Sequence, residues 1–116
     1  MSGTQIALGQ LFQKESGRSF ITAFDHGTNL RVPASFGNPV NLLARIVEGG
    51  PDGVLIGPGM LRAGAHLLAH RGAPVPVLRA DWTVINDDWK RDSGEHYKVM
   101  LSPTDAHAMG AGAICM

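Results

Sequence analysis

Four short runs of apolar residues constrain this chain more than any other feature: 20–24 (FITAF), 53–56 (GVLI), 75–78 (VPVL) and 113–116 (AICM). Each run is continuous, with no alternation of apolar and polar positions. A strand that packs one face on a core and wets the other alternates. A strand buried on both faces does not, and such strands belong to parallel sheets covered by helices. The runs therefore argue against an all-β sandwich and predict a parallel sheet covered on both faces.

The segments between the runs carry helical spacing. Over 39–48 (PVNLLARIVE), Val40, Leu43 and Val47 share one face, with Leu42 and Ile46 adjoining. Asn38 is placed to cap this helix, Pro39 suits its first turn, and Gly49-Gly50 stops it. A second helix is expected over 60–71, with Leu61, Ala65, Leu68 and Ala69 toward the sheet and Gly72 ending it. A third is expected over 102–109, where Ser102 caps with Asp105 three residues on, Pro103 fits the first turn and Gly110 stops the helix. Similar Gly-rich turns (EGG-PDG, HRG-AP, MGAG-A) precede the three later strands, without an exact repeat. The order β-α-β-α-β-loop-α-β predicts a parallel α/β sheet with right-handed crossovers. The interval 82–97 is polar, holding Asp87, Asp88, Lys90, Arg91, Asp92 and Glu95, and reads as a long βα loop. In barrels such loops stand at the active-site end.

Composition excludes several classes. Lys plus Arg is 10 and Asp plus Glu is 10, so the formal net charge is zero, without the basic excess of a nucleic-acid binder. Nothing in that balance favours a membrane surface, and no apolar run approaches the ~20 residues of a membrane span. The hydrophobic share of 44% suits a globular core. Cys115 is the single cysteine, so no internal disulfide can form. The opening residues have neither a basic stretch nor an apolar stretch of the secretory type. A cytoplasmic protein is expected.

Residues 1–116 read as one domain, and an incomplete one. Met116 falls inside the fourth apolar run, with no turn, helix or polar tail after it. A four-stranded parallel sheet ending there would leave two bare edges. The competing reading is an open, flavodoxin-like α/β domain, which normally needs a further strand and a closing helix.

The sharpest chemical signal is Asp25-His26-Gly27, directly after FITAF. It sets a carboxylate and an imidazole at the C-terminal end of a parallel strand, where barrels and open α/β sheets bind ligands. The plainer alternative is a βα turn in which Asp25 caps backbone amides and Gly27 supplies a positive φ. By pattern alone the two readings stand level.

Four segments in order carry a resemblance to a known family. They are 16–27 (SGRSFITAFDHG), 47–59 (VEGGPDGVLIGPG), 74–79 (PVPVLR) and 102–114 (SPTDAHAMGAGAI). Together they resemble the first four strands and adjoining turns of the archaeal-type class I fructose-bisphosphate aldolases, which group with the deoxyribose-phosphate aldolase-like barrels. The resemblance runs from about residue 8 to 116. It implies a fold made of the first four βα units of a TIM (β/α)₈ barrel, truncated, since such a barrel needs roughly 200 residues or more.

The resemblance also implies Schiff-base chemistry on a small, phosphorylated ketose or related keto compound, with a lysine on the sixth strand as nucleophile and no cofactor or metal. Asp25 corresponds to the family's first-strand carboxylate, implying a catalytic role in proton transfer or in binding a substrate hydroxyl. His26 is carried over as a substrate contact or a brace for the turn. Asp81 is added from position alone, as a carboxylate at the end of the third strand able to reach the same pocket; a surface or capping role is the alternative. A homo-oligomeric full-length form is expected. This chain departs from the family where Asn29-Leu30-Arg31-Val32-Pro33 replaces the usual Gly-Pro after D-H-G, and where Ala80-Asp81-Trp82-Thr83 follows the third strand. Lys14, Lys90 and Lys98, the only lysines, read as solvated surface residues, so the fragment is expected to be inactive alone.

Other features have plainer readings. His66 and His70 share a helix face but lack a third ligand, and read as surface residues. Asp87, Asp88 and Asp92 could bind a hard cation but lack a loop pattern for it and read as a solvated loop; Gly57-Pro58-Gly59 could aim amides at an anion but reads first as turn chemistry. Cys115 reads as a small core residue. Trp82 and Trp89 flank the polar loop and either wall a sugar site or, the more usual case, cover an apolar patch. Two rival functions remain: a non-catalytic half-barrel that self-associates or binds a partner, and a different barrel enzyme such as an isomerase or thiolase-like acyl transferase.

Overall fold

Strand pairing converts the apolar runs into a sheet. A computed structural model of the chain describes residues 2–27, 32–83, 94 and 97–116. It contains α1 (Ser2–Leu11), β1 (Ile21–Phe24), α2 (Pro39–Glu48), β2 (Gly53–Ile56), α3 (Pro58–Leu68), β3 (Val75–Arg79), β4 (Asp81–Thr83), β5 (Tyr97–Val99), α4 (Pro103–Ala108) and β6 (Ala113–Cys115). A single turn of 3₁₀ helix, Ala34–Phe36, precedes α2. The four apolar runs form one sheet in the order β1-β2-β3-β6, every neighbour parallel. Ala23 stands beside Leu55, Leu55 beside Val77, and Val77 beside Ala113. The α/β class and the parallel sheet agree with the sequence. Among the described residues no helix is long and apolar enough to cross a membrane.

One face of this sheet makes the core. Phe24, Val54, Ile56 and Leu78 alternate onto it and form one cluster with Leu43 of α2, Leu61 of α3, Ala106 of α4 and Ala111. Leu43, Val54, Ile56 and Leu78 are fully buried. Each such side chain contributes roughly 1.5–3 kcal/mol relative to an exposed one. The helices begin where their caps lie. Asn38 Oδ1 accepts from the amides of Val40 and Asn41, and Ser102 Oγ accepts from the amide of Asp105. Helix α3 starts earlier than the spacing suggested, with Pro58 in its first turn and Gly57 in extended conformation before it. Its inward residues are Leu61, Gly64, Leu67 and Leu68, whereas Ala65 and Ala69 are exposed. Gly64 is where α3 meets α2: a β-carbon there would overlap Leu43 Cδ2.

The other face is less covered than the sequence predicted. Ile21 is 42% exposed and Ala23 is also exposed, while Leu55 is half-buried. The continuous apolar runs implied helices on both sides; among the described residues the second side receives α1 alone. That helix was not foreseen. It sets Leu11 against Gly53, where a β-carbon would come within 2.9 Å of Leu11 Cδ1. The same end is tied by Asp52, whose carboxylate accepts from the Phe20 amide at 2.7 Å and from Gln13 Nε2 at 3.2 Å.

The expected loop over 82–97 is a second correction. Its two ends pair as an antiparallel ribbon, β4 with β5, matching Asp81 to Val99, Trp82 to Lys98 and Thr83 to Tyr97. The Ala80 carbonyl anchors the ribbon's base by accepting from the amides of Met100 and Leu101, at 2.7 and 3.3 Å. Asp87, Asp88, Trp89, Lys90, Arg91, Asp92 and Glu95 lie outside the described residues, as do Asn29, Leu30 and Arg31.

Candidate functional site

All four parallel strands end at one edge, so the residues that follow them gather there. Phe24, Ile56 and Leu78 are register partners on the buried face. One residue further along, the alternation turns Asp25, Gly57 and Arg79 to the opposite face, beside Cys115, which pairs with Arg79. Asp81, two residues beyond Arg79 in extended chain, returns to the same side.

Arg79 holds this cluster together. Its Nε lies 2.7 Å from Asp81 Oδ1, and its Nη1 lies 3.7 Å from Asp25 Oδ2. Nη1 also donates to Cys115 Sγ at 3.6 Å. The Nε–Oδ1 contact joins opposite charges without hydrogen-bond alignment, and both atoms are buried without an aligned partner. Burial is uneven. The Asp81 side chain is 4% exposed, that of Asp25 16% and that of Arg79 19%.

The expected site residues separate accordingly. Asp25 and Asp81 come together, with Arg79 between them. Asp81 is buried, which removes the surface alternative. His26 goes elsewhere: its ring packs edge-on against Phe36, centroids 4.9 Å apart, and Phe36 in turn lies beside Phe24. Its Nδ1 is buried without a hydrogen-bond partner. That position suits bracing of the β1–α2 turn. Cys115 is a correction, because it is half-buried on the less covered face against Arg79 rather than in the helix-covered core. His66 and His70 are exposed, as are Lys14 and Lys98.

Arg79 itself was missed. The available signal was a basic residue closing an apolar strand, VPVLR, two positions before a carboxylate.

Fold and site together define an α/β protein with a parallel sheet and an ionic cluster at the carboxyl edge of its strands. No family model matches the chain. Over 115 residues it is 30% identical to an uncharacterised aldolase of Saccharolobus solfataricus, an alignment covering 98% of this chain and 42% of that relative. The chain thus spans less than half the length of the relative it matches. The likeness supports an aldolase-like relationship and nothing narrower.

Proposed function

We propose that this chain forms the first four βα units of a (β/α)₈ barrel enzyme with class I, Schiff-base aldolase chemistry, acting on a small ketose or keto compound bearing phosphate. The supporting observation is the carboxyl-edge cluster, where Asp25 stands at the end of β1 with part of its carboxylate open to solvent. The similarity to a protein described as an aldolase favours the same reading. Asp25 is the acid–base or substrate-orienting group. The Schiff-base lysine and the phosphate contacts belong to the rest of the barrel, and no metal takes part.

The chemistry follows from charge. An iminium formed by a lysine withdraws electrons from the bond to be broken, and a nearby carboxylate takes up the hydroxyl proton released in cleavage or returns it in condensation. Such proton transfer contributes typically 10²- to 10⁴-fold in rate. The test is borohydride reduction of the full-length gene product in the presence of a panel of small ketoses and ketose phosphates, read by mass spectrometry. A lysine adduct is expected, and Asp25→Asn should lower turnover by about 10²- to 10⁴-fold. If no adduct forms with any member of the panel, the reading is wrong.

A second reading has its own support. Phe20 and Ile21 are exposed apolar residues on β1 or next to it, and β1 and β6 are the sheet's edges. Such edges invite pairing with another chain. Self-association is the corresponding proposal, and a monomer by analytical ultracentrifugation at all concentrations would refute it.

A further inference from the structure

We infer that Arg79 is the positioning residue for Asp25 and that Asp81 is the anchor of Arg79 rather than a ligand for substrate. The inference rests on the role given to Asp25 above and assigns the parts around it.

Neighbouring strands lie ≈ 4.8 Å apart, so β1 and β3 are separated by nearly 10 Å. A carboxylate on β1 and a group on β3 meet only if a long side chain crosses β2. Arginine has that length. The level it must cross is that of Gly57, which carries no side chain and continues β2 in extended conformation, φ −78° and ψ 160°.

The two carboxylates are not equivalent partners. Asp81 is almost completely buried and its Oδ1 is 2.7 Å from Nε, so its charge is spent on Arg79. Asp25 is more exposed and its Oδ2 is 3.7 Å from Nη1, beyond hydrogen-bond reach. Its oxygens therefore keep lone pairs free for a ligand while the guanidinium charge holds the side chain toward the open face. Cys115 Sγ accepts a hydrogen bond from Nη1 and restrains the guanidinium's orientation. A planar guanidinium held by the Asp81 charge at Nε and by the Cys115 sulfur at Nη1 is restrained in orientation, as a single ammonium is not. The cluster carries two carboxylates against one guanidinium, a formal charge of −1. It suits the hydroxyl-bearing part of a substrate and repels a phosphate, which must bind elsewhere.

The test is nuclear magnetic resonance on the chain itself, with no need for turnover. In the unmodified protein, Arg79 should give a resolved Nε–H signal and slowed exchange of its Nη protons. Asp81→Asn should shift the Arg79 Nε signal and, through Arg79, the Asp25 carboxyl carbon. Arg79→Gln should shift the Asp25 carboxyl carbon as well. Arg79→Lys, which keeps the charge but loses the fork, should restore that signal only in part. In the full-length gene product Arg79→Gln should lower kcat by about 10²-fold with little change in KM, as misplacement of a reacting group does. Freely averaged Arg79 signals in the unmodified protein would overturn the inference. So would an Asp25 carboxyl signal indifferent to both Asp81→Asn and Arg79→Gln. A missing lysine adduct with these NMR signals intact would sink the aldolase reading alone.

Discussion

Gly64→Ala isolates how closely α2 and α3 must approach. In most helix interiors this change stabilises, because alanine loses less backbone freedom on folding, by roughly 1 kcal/mol. Here the added methyl group would overlap Leu43 Cδ2, and Leu43 is fully buried in the cluster that joins both helices to the sheet. Leu43 has nowhere to move without displacing its neighbours. Overpacking of this kind typically costs 1–3 kcal/mol. Set against the propensity gain, the expected net loss is about 0–2 kcal/mol, a fall of up to roughly 10 °C in Tm for a domain of this size. Gly59, in the first turn of the same helix, has nothing within 4 Å of a built β-carbon. Gly59→Ala should therefore hold or raise Tm. Leu43→Ala should cost about 2–5 kcal/mol, yet Gly64→Ala added to it should be neutral or favourable, because the obstructing methyl is gone. Urea unfolding followed by circular dichroism compares the parent with all four variants. A Gly64→Ala variant more stable than the parent, or additive with Leu43→Ala, would refute the packing argument.

Three further substitutions probe separate points. Asn38→Ala removes the acceptor for the Val40 and Asn41 amides and should lower stability by about 1 kcal/mol, measured by urea unfolding. Asp52→Ala breaks the links to Phe20 and Gln13 at the amino end of β1 and should cost about 1–2 kcal/mol, while Asp52→Asn, which retains an acceptor, should cost less in the same assay. Asp81→Ala leaves Arg79 Nε without its counter-charge and should cost about 1–3 kcal/mol, toward the lower end because Arg79 is partly open to solvent and can relax; a thermal melt unchanged from the parent would show the pair to be unimportant to folding.

Much of the covered face was legible because it depends on local order. Strand β2 falls on the GVLI run, and α2 occupies 39–48 with the cap and stop that Asn38 and Gly49-Gly50 provide. Features that escaped depend on distant partners. Helix α1 docks mainly through Leu11, while Ile6 and Leu8 remain exposed, so its sequence shows no apolar stripe to read. The β4–β5 ribbon joins residues on either side of a polar stretch, and short strands with no alternating pattern give little periodic signal. The approach of Arg79 to Asp25 depends on the register of three strands. Asp25 and Asp81 could be named one at a time from strand ends; their shared partner needed the sheet.

The less covered face changes character along the strands, and that change fixes where a ligand can act. At the amino end stand Leu11, Ile21 and Val75, all apolar, with Gly53 admitting Leu11. The middle level is Ala23, Leu55, Val77 and Ala113, still apolar. The carboxyl end is Asp25, Arg79, Asp81 and Cys115. Two residues advance a strand by about 6.6 Å, so the face passes from hydrocarbon to ions within two such steps. A polar ligand pressed onto the first two levels would lose its hydration with nothing to replace it, at a cost of several kcal/mol. At the third level stand the Asp25 and Asp81 carboxylates with the Arg79 guanidinium between them. Parallel pairing puts every strand's carboxyl end at that level, so one choice of sheet topology both builds the apolar floor and concentrates the charged groups above it.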